Sequence, residues 1–327
     1  MGMIINPYAG VDWTTCVRIA GVSHAHCNDQ EETWASQAYF EDLYAAGIRH
    51  MAISGYYPSQ PTEPLKDYFT VPADVISCPN AEHHNMSNVG GLIHCNSLGS
   101  TFSSGKPRGE TPIGVNKPWQ WTFAQIIRQL VYPDGGGITI NHPMWTGLSL
   151  GIAEKMLDFA PEVLGIEIFN ATSELENKGW ALDMWDVLLK TGRRCWGFAV
   201  PDHAHKGNVH FQGRTCLLAS AATDHACLKA YRDGAFYSQI GSTPLAFEHI
   251  RLNGRTLDVA TTGADSISVI IDGQRKTFTG NTCQVQIPAG ATYARVEASS
   301  ADDAIFSNPV MFRIRHRRVS LIPALQS

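Results

Sequence analysis

Short apolar runs, most of them closing on a histidine or an acid, alternate with amphipathic helical stretches from about residue 16 to 240, and this alternation restricts the fold more than any other feature of the chain. The runs are Cys16 to Val22, Ile48 to Ile53, Gly91 to Cys95, Gly137 to Ile140, Gly165 to Phe169 and Arg194 to Val200. Apolar segments of that length, separated by helical ones, predict β/α units and a mainly parallel sheet. The helices are marked by spacing and by their stops. Residues 33–46 carry Ala35, Ala38, Tyr39, Leu43 and Ala46 at helical spacing before Gly47, and 180–191 carry Leu182, Trp185, Leu188 and Leu189 before Gly192. A glycine there accepts the left-handed conformation that closes a helix. A third stretch, 118–131, turns Phe123, Ile126, Ile127 and Leu130 inward and stops before Pro133.

After Gly241 the helical spacing disappears. Short alternating runs are separated by Asn253-Gly254, Asp272-Gly273, Gly280-Asn281 and Ala289-Gly290, and the first two pairs are strong hairpin signals. The expected organisation is an N-terminal extension over 1–15, an α/β domain over 16–240, a small antiparallel β-sandwich over 241–318 and a tail over 319–327.

Composition excludes several classes. With 44% hydrophobic and 17% charged residues over 327 positions, the chain is neither a disordered protein nor a coiled coil. A net charge of −5 argues against a nucleic-acid partner, and the four arginines between Arg313 and Arg318 read as a solvated tail. No apolar stretch reaches the length of a membrane span and Met1–Trp13 lacks the features of a signal peptide, so a cytoplasmic protein without a membrane partner is expected. The 8 cysteines include no C-x-x-C pair and read as reduced thiols.

The 13 histidines are the unusual count, and their placement carries the chemistry. The first run leads into Ser23-His24-Ala25-His26; the third carries His94; the fourth leads into Asn141-His142-Pro143; the fifth holds Glu167 and ends at Asn170; the sixth leads into Asp202-His203-Ala204-His205. In parallel β/α sheets the C-terminal strand ends converge on one face, where such proteins place reactive groups. Positions i and i+2 of a strand share a face, so His24 and His26 point the same way and can share one ion. Imidazoles mixed with carboxylates suit Zn, Mn or Fe rather than Ca or Mg. Glu167, inside its run, reads either as a buried carboxylate paired with an arginine or as a support for a ligand. Trp119, Trp121 and Trp145 read either as a pocket wall or as core.

These residues resemble the motifs of the polymerase and histidinol phosphatase (PHP) superfamily of metal-dependent phosphoesterases. Ser23-His24-Ala25-His26 is similar to its first motif, Asn141-His142-Pro143 to its N-H-P motif and Asp202-His203-Ala204-His205 to its terminal D-x-H motif. Ala81-Glu82-His83-His84 followed by Gly91-Leu92-Ile93-His94 is similar to the family's glutamate and downstream histidine. Gly165–Asn170, Gly234-Ala235-Phe236-Tyr237 and Ser307-Asn308-Pro309 resemble a branch that includes carbaryl hydrolases.

The resemblance implies a distorted (β/α)7 TIM-like barrel with one to three divalent transition metal ions. His24, His26, Glu82 and Asp202 would surround one ion, Glu82 with His94 and His142 a second, and His205 would serve a third. The family's T-D-H motif is replaced by Ser54-Gly55-Tyr56-Tyr57, and the third ion's other ligand would come from Asp29, Glu31 or Glu32. The expected activity is hydrolysis of a small phosphate ester, or of a carboxylic or carbamate ester, by metal-activated water. His203 or His84 would protonate the leaving oxygen, while Tyr56, Lys106 and Arg108 would bind the substrate. The alternatives are an amidohydrolase-like barrel enzyme and a metal-binding protein of this fold that has lost catalysis.

Overall fold

The computed structural model describes residues 4–27, 36–55, 61–83, 93–104, 117–203, 213–241, 244–301 and 303–315. Its first strands are β1 (Val17–Ala25), β2 (His50–Ile53), β3 (Ile76–Ser77), β4 (Glu82–His83), β5 (Cys95–Leu98), β6 (Gly137–Ile140), β7 (Val163–Asn170), β8 (Trp196–Val200), β9 (Arg214–Ala219) and β10 (Phe236–Ile240). There follow β11 (Ala246–Asn253), β12 (Thr256–Thr262), β13 (Ser266–Ile271), β14 (Gln274–Thr279), β15 (Thr282–Gln286), β16 (Tyr293–Ser299), β17 (Ala304–Ser307) and β18 (Val310–Met311). The helices are α1 (Gln37–Ala45), α2 (Trp119–Arg128), α3 (Leu150–Leu157), α4 (Ala171–Glu174), α5 (Leu182–Lys190) and α6 (Asp224–Asp233). None is long and apolar enough to cross a membrane.

The chain is mixed α/β and rich in sheet. Strands β4-β5-β6-β7-β8 form one sheet, β11-β12-β15 a second, and a ten-stranded sheet runs β14-β13-β16-β17-β10-β9-β1-β2-β3 with β18 beside β16. The expected closed barrel is not formed as one continuous ladder among the described residues. Parallel pairing is confined to β1-β2-β3 and β6-β7-β8, whereas β4-β5-β6 and β1-β9-β10 pair antiparallel. A closed parallel barrel needs every connection to return the chain in the same direction, and the two-residue strands β3 and β4 supply few rungs. Single parallel bridges, Ala25 with Asp202 and Gly55 with Ala81, join the two sheets where the histidine-bearing loops gather.

Local signals explain the elements. α6 begins at Thr223, whose side chain accepts from the Ala226 amide, and closes at Gly234 with φ 76°. α5 buries Trp185, Leu188 and Leu189, and the Trp185 Nε1–H donates to the Cys195 carbonyl at 2.9 Å. Asp272 and Gly273, with φ 49° and 81°, make the tight turn between β13 and β14 that their sequence announced. β7 and β8 approach so closely at Gly165 that an added Cβ would stand 1.9 Å from the Trp196 carbonyl oxygen.

The C-terminal strands form two antiparallel layers, with Phe247, Ile250 and Val259 packed against Val269, Val296 and Ile305. The larger layer continues into β10-β9-β1-β2-β3 within the ten-stranded sheet, because β10 pairs with β17 from Tyr237↔Ser307 to Ile240↔Ala304. The N-terminal segment is tied to the same junction: Tyr8 Oη donates to the Phe236 carbonyl at 3.0 Å and accepts from the Asn308 amide at 2.7 Å.

His50, which faces Gly21 across the β1–β2 pairing, is fully buried, and neither ring nitrogen has a hydrogen-bond partner. Burial outweighs the distant Asp224 charge and pushes its pKa down to about 4. The folded chain therefore binds this proton later than the unfolded chain, and stability is lost as pH falls from about 6.5 toward 4. A His50→Leu variant is expected to lose about 3 kcal/mol less than wild type between pH 7 and pH 4 in urea unfolding. Parallel acid limbs for the two proteins would contradict that assignment.

Candidate metal centre

β1 carries His24 to its end and the next turn carries His26; both are buried, at 0% and 1% exposure. His24 Nε2 and His26 Nε2 stand 3.0 Å apart. Glu82 Oε2 lies 3.4 Å from His24 Nε2 and 3.0 Å from His26 Nε2, and Asp202 Oδ1 lies 3.3 and 3.4 Å from the same two atoms. Four donors about 2.0–2.1 Å from a common tetrahedral centre stand about 3.3 Å from one another. The five spacings of 3.0–3.4 Å found here are compatible with such a set.

The other oxygen of Glu82 faces a second group. Oε1 is 3.0 Å from His94 Nδ1 and 3.2 Å from His142 Nε2, and accepts from Asn141 Nδ2 at 3.1 Å. One carboxylate thus joins two sets of donors. His203 stands at the edge: its Nε2 is 3.8 Å from Asp202 Oδ1, and its ring stacks on His26 with centroids 4.2 Å apart. The backbone N–H of His203 donates to Thr172 Oγ1 at 2.9 Å.

Beneath these groups lies Glu167 of β7. Its Oε1 accepts from His24 Nδ1 at 2.7 Å, and its Oε2 accepts from the His142 amide at 2.7 Å and from Asn170 Nδ2 at 2.9 Å. No arginine pairs with Glu167 among the described residues; its partner is an imidazole. Asn170 Nδ2 also reaches Asp202 Oδ2 at 3.0 Å.

Glu82, Glu167 and Asp202 are buried together, and among the described residues no Lys or Arg pairs with them. Burial opposes a charged imidazole, yet Asp202, Glu82 and Glu167 outweigh it and hold the His24 pKa well above the ordinary histidine range. Burial likewise opposes ionised Glu82, but His24 and hydrogen bonds from His142, His24 and His26 hold it well below the carboxylate range. For Asp202 the charges of His24, His203 and His26 outweigh burial, again lowering its pKa. Such a pocket demands positive charge at its centre, from protons or from a cation.

The backbone bears the mark of the same demand. His142 and Asp202 adopt positive φ, 25° and 56°, a strained region for residues with a side chain. His142 Nδ1 is buried without a hydrogen-bond partner. Donor chemistry, spacing and strain fit divalent transition metal ions, and the groups His24–His26–Glu82 and Glu82–His94–His142 each offer three donor atoms.

Of the residues singled out in the sequence, His24, His26, Glu82, His94, His142, Asp202 and His203 are brought together. His84, His205, Tyr56, Lys106 and Arg108, with Asp29, Glu31 and Glu32, lie outside the described residues. His94 arrives by a route the strand-end rule does not anticipate. It precedes β5 rather than ending a strand over Gly91 to Cys95, and because β5 is antiparallel to β6, with Cys95 opposite Ile140, its start lies beside the end of β6. Trp119 is core, Trp121 packs against the same core, and Trp145 is 37% exposed with its ring 5.2 Å from His142 and 5.8 Å from His94. The sequence marks Asn170 only as the end of its run, and its one available signal is a polar residue closing an apolar strand that carries Glu167.

No protein-family model matches the chain, and no curated protein matches it. One solved structure, a two-domain protein from Bacteroides vulgatus containing a predicted PHP-like metal-dependent phosphoesterase, aligns over 89% of this chain and 92% of its own, with TM-score 0.43 and 12% identity. A likeness at that level leaves the functional reading to the side chains.

Proposed function

We propose that this protein is a metal-dependent hydrolase of ester bonds, acting on a small phosphate ester or, as the second choice, a carboxylic or carbamate ester. The observation that carries the reading is the buried meeting of His24 Nε2, His26 Nε2, Glu82 Oε2 and Asp202 Oδ1 at 3.0–3.4 Å. Those four residues would hold one ion, and Glu82, His94 and His142 a second. Zinc, manganese or iron held there would supply a water of near-neutral pKa and positive charge opposite a developing phosphoryl or carbonyl oxyanion. The chain's own residues then divide the work. His203, with its side chain 14% exposed at the edge of the group, would give a proton to the leaving oxygen. Asn141 and Glu167 orient the ligands from behind.

Trp145 is placed to receive the apolar part of the substrate. Its indole borders His94 and His142 and is held by an Nε1–H bond of 3.3 Å to Glu176, with the exposed Met144 beside it in sequence. Trp145→Ala is expected to raise KM for aryl esters about 3- to 10-fold over alkyl esters, the worth of one aromatic contact. Equal KM changes for both would remove Trp145 from this role.

The function is tested by stripping the protein with chelator, reloading it with zinc or manganese, and assaying aryl phosphates and aryl acetates. Turnover that follows metal content is the expected result. Stoichiometric metal with no turnover across the panel would favour the reading as a metal-binding protein without catalysis.

A further inference from the structure

We infer that Glu167 and Asn170 are the positioning residues of this centre: together they decide which nitrogen of His24 faces the ions and hold ligands from separate strands in one arrangement. The inference rests on the metal-centre reading above and assigns a task to residues that touch no ion.

Glu167 and Asn170 are three apart on β7, a spacing that would send their side chains to opposite faces of a regular strand. The pairing with β8 is irregular here: Glu167 is opposite Phe198 but Phe169 is opposite Ala199, so one residue is extra. A bulge of this kind turns the following side chain back to the first face. Both residues therefore point into the centre, where they reach His24 of β1, the backbone of His142 after β6, and Asp202 after β8.

Every partner of Glu167 is a donor. The His142 amide is a fixed donor, since a peptide N–H has no alternative. Asn170 is fixed as well, because its Oδ1 accepts from the Ser173 amide at 2.9 Å and leaves Nδ2 for Glu167 and Asp202. With Oε2 occupied by these two, Oε1 obliges His24 to carry its proton on Nδ1 at 2.7 Å. With an ion in place of the second proton, the Nε2 lone pair would be turned to the side of His26, Glu82 and Asp202. Asn170 acts likewise on Asp202: by holding Oδ2 it leaves Oδ1 for His24 and His26.

Only an acceptor on both sides satisfies this arrangement, so Glu167→Gln is a sharp test with almost no change of shape. The amide oxygen of the variant would take the side with two fixed donors, and its NH2 would face His24 Nδ1. His24 would then protonate Nε2, the atom the ion needs. Zinc affinity measured against a competing chelator is expected to fall about 10- to 100-fold, the usual effect of groups that orient metal ligands. In side-chain 1H–15N spectra of the zinc-loaded protein, the downfield His24 Nδ1–H signal of the wild type should be lost in the variant. A merely structural carboxylate would lower the melting temperature of the zinc-free protein without moving that signal.

Wild-type zinc affinity in the variant, with the Nδ1–H signal retained, overturns the inference and leaves the metal centre intact. A wild type that binds no zinc overturns the metal centre and the inference with it. If the variant does not fold, the wild-type spectrum decides: a protonated Nδ1 on zinc-loaded His24 supports the assignment, and zinc bound at Nδ1 refutes it.

Discussion

Glu82→Gln should strip the protein of metal and of any metal-dependent turnover. Among the described residues, Glu82 is the proposed ligand whose two oxygens face both sets of donors. One oxygen of Glu82 serves His24 and His26 at 3.4 and 3.0 Å, and the other serves His94 and His142 at 3.0 and 3.2 Å. A glutamine must present amide hydrogens to one of these pairs, where it offers an ion nothing. Since removing groups behind the ligands costs about 10- to 100-fold in metal affinity, loss of this shared ligand should exceed about 100-fold. Metal content after dialysis and zinc titration against a chelator would measure it; a variant that retains full metal would refute the shared-ligand role. His94→Ala, which touches one set only, should lower the metal content by less.

The same substitution has a pH signature in the metal-free protein. The surrounding histidines, above all His24, hold the Glu82 pKa well below the ordinary range. Ionised Glu82 therefore adds stability above the carboxylate range and loses it as pH falls through the folded-state value. The stability gap between wild type and Glu82→Gln should be open at neutral pH and narrow on acidification.

Arg295→Met should be the most destabilising change outside the centre. Arg295 sits on β16 with its side chain 1% exposed and reaches Asp186 of α5 through Nε at 2.7 Å and Nη2 at 2.8 Å, with Nη1 on Glu297. Its guanidinium also lies 4.8 Å from the centre of the Trp185 ring, and Tyr293 Oη donates to the same Asp186 at 2.7 Å. Burial alone would discourage the guanidinium charge, but these carboxylates raise its pKa instead. Methionine keeps the stem's packing and deletes the charge, leaving Asp186 without its guanidinium partner, while Glu297 keeps Arg275 at 2.6 Å. Breaking a buried pair costs about 3–5 kcal/mol. Since the carboxylates are 22% and 12% exposed, the lower end, about 3 kcal/mol, is expected. Chemical denaturation would measure it, and the double variant Arg295→Met with Asp186→Leu should recover most of the loss. A single variant within about 1 kcal/mol of wild type would show that α5 and the C-terminal sheet do not depend on this pair.

Much of the centre was legible because it obeys local rules. His24 and His26 share a face because the strand period is two, and His142 and Asp202 follow apolar runs whose ends gather on one side. The Asp272-Gly273 hairpin was equally legible, since positive φ at both positions is a property of those residues. His94 is legible as a ligand type, but its strand runs opposite to the direction its apolar run suggests. Apolarity marks a strand but carries no direction, and only pairing with β6 reveals that β5 runs the other way. The described residues show a mixed α/β sheet structure rather than one closed ladder, and the sequence could not show this for the same reason: antiparallel neighbours look like parallel ones until they are paired.

Residue types and periodicity by themselves pointed to the side chains suited to bind metal, to where helices stop and to the strand-only final quarter of the chain, because these follow from interactions within a few residues. The tertiary structure alone decided that Glu167 meets His24 across 143 positions and that Arg295 meets Asp186 across 109. Those contacts depend on strand order, direction and a one-residue bulge in β7. Such features are set by the free energy of burying whole sheets together and leave no local trace along the chain.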